Sequence, residues 1–151
     1  MKQITVLLAD DNRDVRGEFR RILELEDDLE VVGEAKDGLE AVAMAKRLRP
    51  NLVLMDVSMP LLNGLQAACQ ILEIMPLLRT QSRPPATKVL MLSAHSDDAY
   101  VVEAMNVGAM GYLIKQTSAD TVCTAIREVH NGNTFFSPSI PKHLHKRNRK
   151  K

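Results

Sequence analysis

The chain has no tryptophan, and aromatic residues make up only 3% of its 151 positions. Its core must therefore be aliphatic, which favours an α/β domain with strands of Val, Ile, Leu and Met. Cysteine is scarce too. Cys69 and Cys123 stand far apart with no metal-type spacing, each inside a predicted helix. The simplest reading is two small apolar residues in a reducing compartment. Long apolar runs are also missing. None would span a bilayer, and the short run after Lys2 ends in acid, unlike a secretory signal. Cytoplasm is the resulting expectation, with no membrane contact.

Two sequence motifs are absent as well. A dinucleotide-binding enzyme needs G-x-G-x-x-G after its first strand, where this chain reads "DDNRD". A Mg²⁺-dependent phosphohydrolase with an aspartyl nucleophile would carry D-x-D, but Asp56-Val57-Ser58 lacks the second acid. What remains is a chain with 45% hydrophobic and 26% charged residues, suited to one soluble globular domain. Its net charge of +1 conceals an asymmetry. Lys142, Lys146, Arg147, Arg149, Lys150 and Lys151 fall in the last ten residues, whereas residues 1–141 hold 14 basic against 19 acidic side chains, a net of −5. An acidic body and a basic tail need separate explanations.

Short apolar runs alternate with amphipathic segments. "ITVLLA" (4–9), "LEVVGEA" (29–35), "NLVLMD" (51–56), "TKVLMLS" (87–93) and "MGYLI" (110–114) have the length and composition of strands buried on both faces. Between them, Val15, Phe19, Ile22 and Leu23 lie on one face of a helix, as do Val122, Ala125, Ile126 and Val129. Asp37 and Glu40 suit a capping box, and Ser96 suits the N-cap of a fourth helix, with Asp97 and Asp98 near its positive end. Gly64, Gly108 and Gly111 read as backbone devices. Five β-α units in succession predict a parallel sheet with helices on both faces. The proline-bearing stretch 75–88 reads as a loop, and everything from Pro138 onward as lying outside the core.

Polar residues sit where such a sheet binds ligands, at the carboxyl ends of its strands. Asp10 and Asp11 close the first strand, Asp56 the third, Ser93 the fourth and Lys115 the fifth. Three carboxylates, a hydroxyl and a lysine at the same edge are hard to attribute to chance.

In "LLADDNRDVR", "LVLMDVSMPLLNGL", "VLMLSAH" and "GAMGYLIK" the chain resembles the receiver domain of two-component response regulators, most closely the NarL/FixJ (LuxR-type) family, over about residues 3–140. The resemblance implies a flavodoxin-like (βα)5 doubly wound sheet in the order 2-1-3-4-5. It makes residues 1–140 the receiver domain and 141–151 a basic tail or linker remnant. In that order the first and third strands are neighbours, so Asp10, Asp11 and Asp56 converge, and hard oxygen ligands suit Mg²⁺. The family pattern makes Asp56 the phosphoacceptor. Asp11, Asp56 and the Ser58 carbonyl become metal ligands, with Asp10 acting largely through water. Strands lie about 4.8 Å apart. Short Ser93 on the adjacent strand would thus meet a phosphoryl oxygen, and long Lys115 would reach from one strand further. Tyr112 takes the place of the switch aromatic, rotating into space that Ser93 vacates. A sensor histidine kinase is the implied donor, and self-association or a DNA-binding output domain the implied readout.

The chain also departs from the pattern. The loop at 76–86 is longer than usual, Gln116 stands where many receivers carry Pro, and Ser58 and His95 occupy positions that modulate dephosphorylation. His95 is not read as a catalytic base, nor His143 and His145 as metal ligands. No helix-turn-helix sequence follows; the chain reads either as a fragment cut in the linker or as a single-domain regulator. The basic tail could touch nucleic acid through phosphates, or be a solvated linker.

Overall fold

A computed structural model of the protein describes residues 3–78, 87–94 and 97–145. Side chains alternate across a strand, and here both sides are apolar. In β1 (Ile4–Ala9), Leu7 and Ala9 join one apolar cluster while Ile4, Val6 and Leu8 join another on the opposite face. The first cluster is covered by α2 (Gly38–Leu48), α3 (Gly64–Ile74) and α4 (Asp98–Val107), and the second by α1 (Arg13–Glu24) and α5 (Ala119–His130). Between the layers, β2 (Leu29–Ala35), β3 (Leu52–Asp56), β4 (Lys88–Ser93), β5 (Gly111–Ile114) and β6 (Phe135–Phe136) complete a parallel sheet in the order β2-β1-β3-β4-β5-β6. The predicted flavodoxin-like order 2-1-3-4-5 is the one observed, extended by a sixth strand.

That sixth strand is not in the sequence reading, and it carries a larger correction. The expectation that the chain from Pro138 onward lies outside the core fails for Ile140 and Leu144. They are 2% and 8% exposed and sit in the same cluster as Val101, Ala104 and Tyr112. After β6 the chain crosses the α4–β5 side of the molecule, ends in a 3-10 turn at Lys142–Leu144, and stacks His145 on Phe136 with ring centroids 3.9 Å apart. Burial of two aliphatic side chains outweighs the extended preference of the prolines around them. The stretch expected to be loop from residue 75 likewise begins with a 3-10 turn, Met75–Leu78. The rest of that long loop, His95, and the basic run 146–151 lie outside the described residues.

Local signals at the helix ends hold with small shifts. Asp37 caps α2 by accepting from Glu40 N, but the Glu40 carboxylate reaches back to Lys36 N, one residue short of closing the box on Asp37 itself. Asp97, rather than the expected Ser96, caps α4 by accepting from Ala99 N; Ser96 is outside the described residues. Gly108, with φ of +104°, ends α4 in the left-handed conformation that glycine adopts most readily. Among the described residues no helix is long and apolar enough to cross a membrane.

An ion cluster joins the α1–β2 corner to α5. Arg127 Nε and Nη2 donate to the two Asp28 oxygens at 2.8 and 2.9 Å, and Nη2 also reaches Glu26 at 2.6 Å. The Arg127 hydrogen bonds hold the Asp28 carboxyl below the ordinary carboxylate range, against the opposing effect of burial. A carboxyl depressed on folding stabilises above its unfolded pKa, and the contribution is lost as pH falls through the folded value. Arg127→Gln is therefore expected to cost about 1 kcal/mol at pH 7, a figure held down by solvent exposure. Urea denaturation should show the gap closing below about pH 3; a gap unchanged there would contradict the assignment.

Candidate functional site

The site forms where β1, β3, β4 and β5 end together. The register pairs Ala9 with Met55, so the next residues, Asp10 and Asp56, emerge side by side. Asp56 is in turn level with Leu92, and Ser93 with Ile114, which places Lys115 just past the edge. Two backbone bonds secure these ends: Asp10 N donates to Ala35 O at 3.0 Å and Lys115 N to Ser93 O at 2.8 Å. Glycine is required at position 64, because a Cβ there would stand 1.8 Å from Asp56 O. That close approach lets the loop after β3 fold back over the backbone of Asp56, and Gly64 N donates to Val57 O at 2.7 Å.

Carboxylate oxygens of Asp10, Asp11 and Asp56 all come within 4.8 Å of one another. Asp10 and Asp56 are buried and Asp11 is exposed, so the cluster has an open side. Lys115 Nζ bridges the buried pair, 2.9 Å from Asp10 Oδ2 and 3.3 Å from Asp56 Oδ1. One ammonium cannot balance three carboxylates. Burial pushes the Asp56 carboxyl up to about 6, reinforced by the charge of Asp10 and opposed by Lys115 and a hydrogen bond from the Ser58 backbone. Burial alone would lower the Lys115 ammonium, but Asp10 and Asp56 outweigh it and leave its pKa raised.

Asp10 Oδ1 accepts from Asn12 N at 2.8 Å, and Asn12 then caps α1, which fixes the acidic turn. Asp10 Oδ2 is buried, and apart from the ion pair with Lys115 no hydrogen-bond partner meets it among the described residues. A buried carboxylate oxygen met by a single ammonium, beside two further carboxylates, suits a hard divalent cation. An open cleft of about 460 Å³ adjoins the cluster, lined by Asp11, Val57, Ser58, Met59, Pro60 and Asn63 among others.

Ser93 and Tyr112 are also brought together. Both are buried, and the Tyr112 hydroxyl is hydrogen-bonded to the Ser93 side chain. Burial raises the Tyr112 phenol despite that bond. All the residues singled out at the strand ends thus converge, with Ser58 exposed at the mouth. The sequence reading missed the hydroxyl pair Ser137 and Thr117 beside Lys115. The signal available was slight: two of the chain's three phenylalanines stand together just before a Ser-Pro pair.

The model of the response regulator receiver domain matches residues 6–127 of the chain. The chain belongs to the response regulator receiver family. Among the curated relatives of this receiver, the transcriptional regulatory protein LnrK of Bacillus subtilis is 38% identical over 137 residues, covering 91% of this chain and 58% of that protein. The transcriptional regulatory protein DegU of Brevibacillus brevis is 34% identical over 148 residues, covering 98% and 59% respectively. A crystal structure of a LuxR-family two-component response regulator from Aurantimonas sp. superposes with a TM-score of 0.84 at 27% identity, over 95% of this chain and 96% of that one. The receiver therefore spans about three-fifths of the length of LnrK and DegU.

Proposed function

We propose that this receiver is a phosphorylation-controlled switch in which Asp56 accepts a phosphoryl group from a sensor histidine kinase. The observation that carries the reading is the buried Asp10–Asp56 pair bridged by Lys115, with Asp11 beside it at an open cleft. An Asp56 carboxylate oxygen attacks phosphorus, the P–N bond to the donor histidine breaks, and its imidazole leaves. Asp11, Asp56 and the Ser58 carbonyl would hold Mg²⁺, with Asp10 acting through water. Bound there, the ion supplies positive charge against the transferring phosphoryl oxygens. Lys115 orients the acceptor and neutralises charge on the product. Ser93 gives up its bond to Tyr112 for a phosphoryl oxygen, and the freed tyrosine biases the α4–β5 face between two arrangements.

The receiver turns over no external substrate; it catalyses only its own phosphorylation and dephosphorylation. Its place is the cytoplasm. In a longer protein of the LnrK or DegU kind, the altered face would control self-association or a DNA-binding output domain and so transcription.

Intact-mass measurement with acetyl phosphate tests this reading. A single phosphoryl adduct should form with Mg²⁺ and fail to form with EDTA. Equal labelling in both conditions, or none in either, would rule the mechanism out.

A further inference from the structure

We propose that Ser137 is a positioning residue for Lys115, so that the strand and strap following α5 form part of the phosphorylation machinery. The inference rests on the reading of Asp56 as phosphoacceptor and Lys115 as its partner. Lys115 lies just beyond β5, in a turn closed by Thr117 N donating to Ile114 O at 2.9 Å. On the β4 side its backbone is held by Ser93 O. On the other side β6 pairs with β5 at Gly111 and Tyr112 and goes no further.

Where that ladder stops, a side chain takes over. The Ser137 hydroxyl accepts from Ile114 N at 2.9 Å and pairs with the Thr117 hydroxyl at 2.8 Å. A single buried oxygen therefore holds both ends of the turn that carries Lys115. Ser137 itself is only 2% exposed. Its own position is fixed three ways. Its N–H donates to Tyr112 O at 3.1 Å, its carbonyl accepts from Ile140 N at 2.9 Å, and Ile140 and Leu144 anchor the following chain in the core. Pro138 keeps Ser137 out of the helical region, which suits its place at the end of a strand.

The consequence is geometric. A lysine on a four-carbon stem delivers its charge accurately only if the stem's origin is fixed. The Lys115 ammonium meets two oxygens, 2.9 and 3.3 Å away. Ser137→Ala strands the Ile114 N–H and the Thr117 hydroxyl and frees the turn, while the acidic cluster on β1 and β3 is untouched.

Phosphorylation of the full chain by acetyl phosphate at saturating Mg²⁺ is the test, with Mg²⁺ affinity measured separately by titration calorimetry. Ser137→Ala should slow the reaction about tenfold and leave the Mg²⁺ affinity within about twofold. Lys115→Ala should be slow, and adding Ser137→Ala to it should slow it no further, because the serine acts through the lysine. A merely structural serine would slow both backgrounds alike, and that result overturns the proposal. So does an unchanged rate for Ser137→Ala beside a slow Lys115→Ala, with the phosphoacceptor reading left standing. A wild-type rate for Lys115→Ala overturns the role of Lys115 and this inference together, and absence of any adduct overturns the phosphoacceptor reading itself. Thr117→Val, which removes the other hydroxyl of the pair, gives the same comparison if Ser137→Ala does not fold.

Discussion

Asp56→Asn is expected to reduce the phosphoryl adduct to background and, at the same time, to stabilise the metal-free protein. The first effect follows from the surroundings of the other two carboxylates. Asp10 is tied to Asn12 N and to Lys115, and Asp11 is exposed and pairs with no lysine among the described residues, so neither offers an equivalent acceptor. The second follows from burial. The Asp56 carboxyl is raised from 3.8 to about 6 on folding, so between those values the folded protein binds more protons than the unfolded chain. Stability therefore falls as pH rises through that window, and above it the buried charge is a standing cost. That difference corresponds to an upper figure of about 3 kcal/mol. In EDTA at pH 7, Asp56→Asn should gain part of that amount in urea denaturation, and at pH 4 it should gain little. Mg²⁺ should stabilise the wild type more than the variant, since ligand binding to the folded state adds stability. An Asp56→Asn protein that is less stable than wild type at pH 7 in EDTA would show that the acidic cluster is not electrostatically frustrated.

Much of this site was legible in the sequence because its residues stand at strand ends, and strand ends can be located from apolar runs alone. The bounds read for β1 and β2 are those observed, and β3, β4 and β5 each begin one residue later than read. Convergence of Asp10, Asp11, Asp56 and Lys115 then required only the strand order, which the family resemblance supplied. The contact between Tyr112 and Ser93 was less accessible. Register puts Tyr112 level with Met91, two residues before Ser93, and only the ring's reach closes that gap. The cap of α4 was read one residue early because Ser96 and Asp97 are both good capping residues, and local chemistry does not separate them.

The C-terminal strap was misread for a different reason. β6 is two residues long, too short for any periodicity to register. Ile140 and Leu144 are isolated apolar positions between prolines and basic residues, which is also how a linker reads. Their burial depends on a receptive surface made by β5 and α4, elements distant in sequence. No window around residue 140 contains that surface.

Ile140→Ala puts this correction to the test and should cost about 2–4 kcal/mol, the range for emptying a well-packed aliphatic site. A side chain on a solvated tail would cost within about 0.5 kcal/mol. The magnitude also has a ceiling with structural meaning. Once the loss exceeds the free energy that docks residues 137–145, the variant populates a state with the strap released and the sheet intact, and further destabilisation stops. Hydrogen exchange separates the two regimes. The Ile140 amide, bonded to Ser137 O, and the Ser137 amide, bonded to Tyr112 O, would then exchange quickly while Val6 and Leu54 at the sheet centre stay protected. Uniform acceleration across all of these amides would instead make the strap part of one cooperative unit with the core. Because Ile140 shares its cluster with Tyr112, release would also uncover the aromatic ring that contacts Ser93. The strap's stability and the preference of Tyr112 for its buried position are then coupled, and whatever shifts one must shift the other by the same free energy.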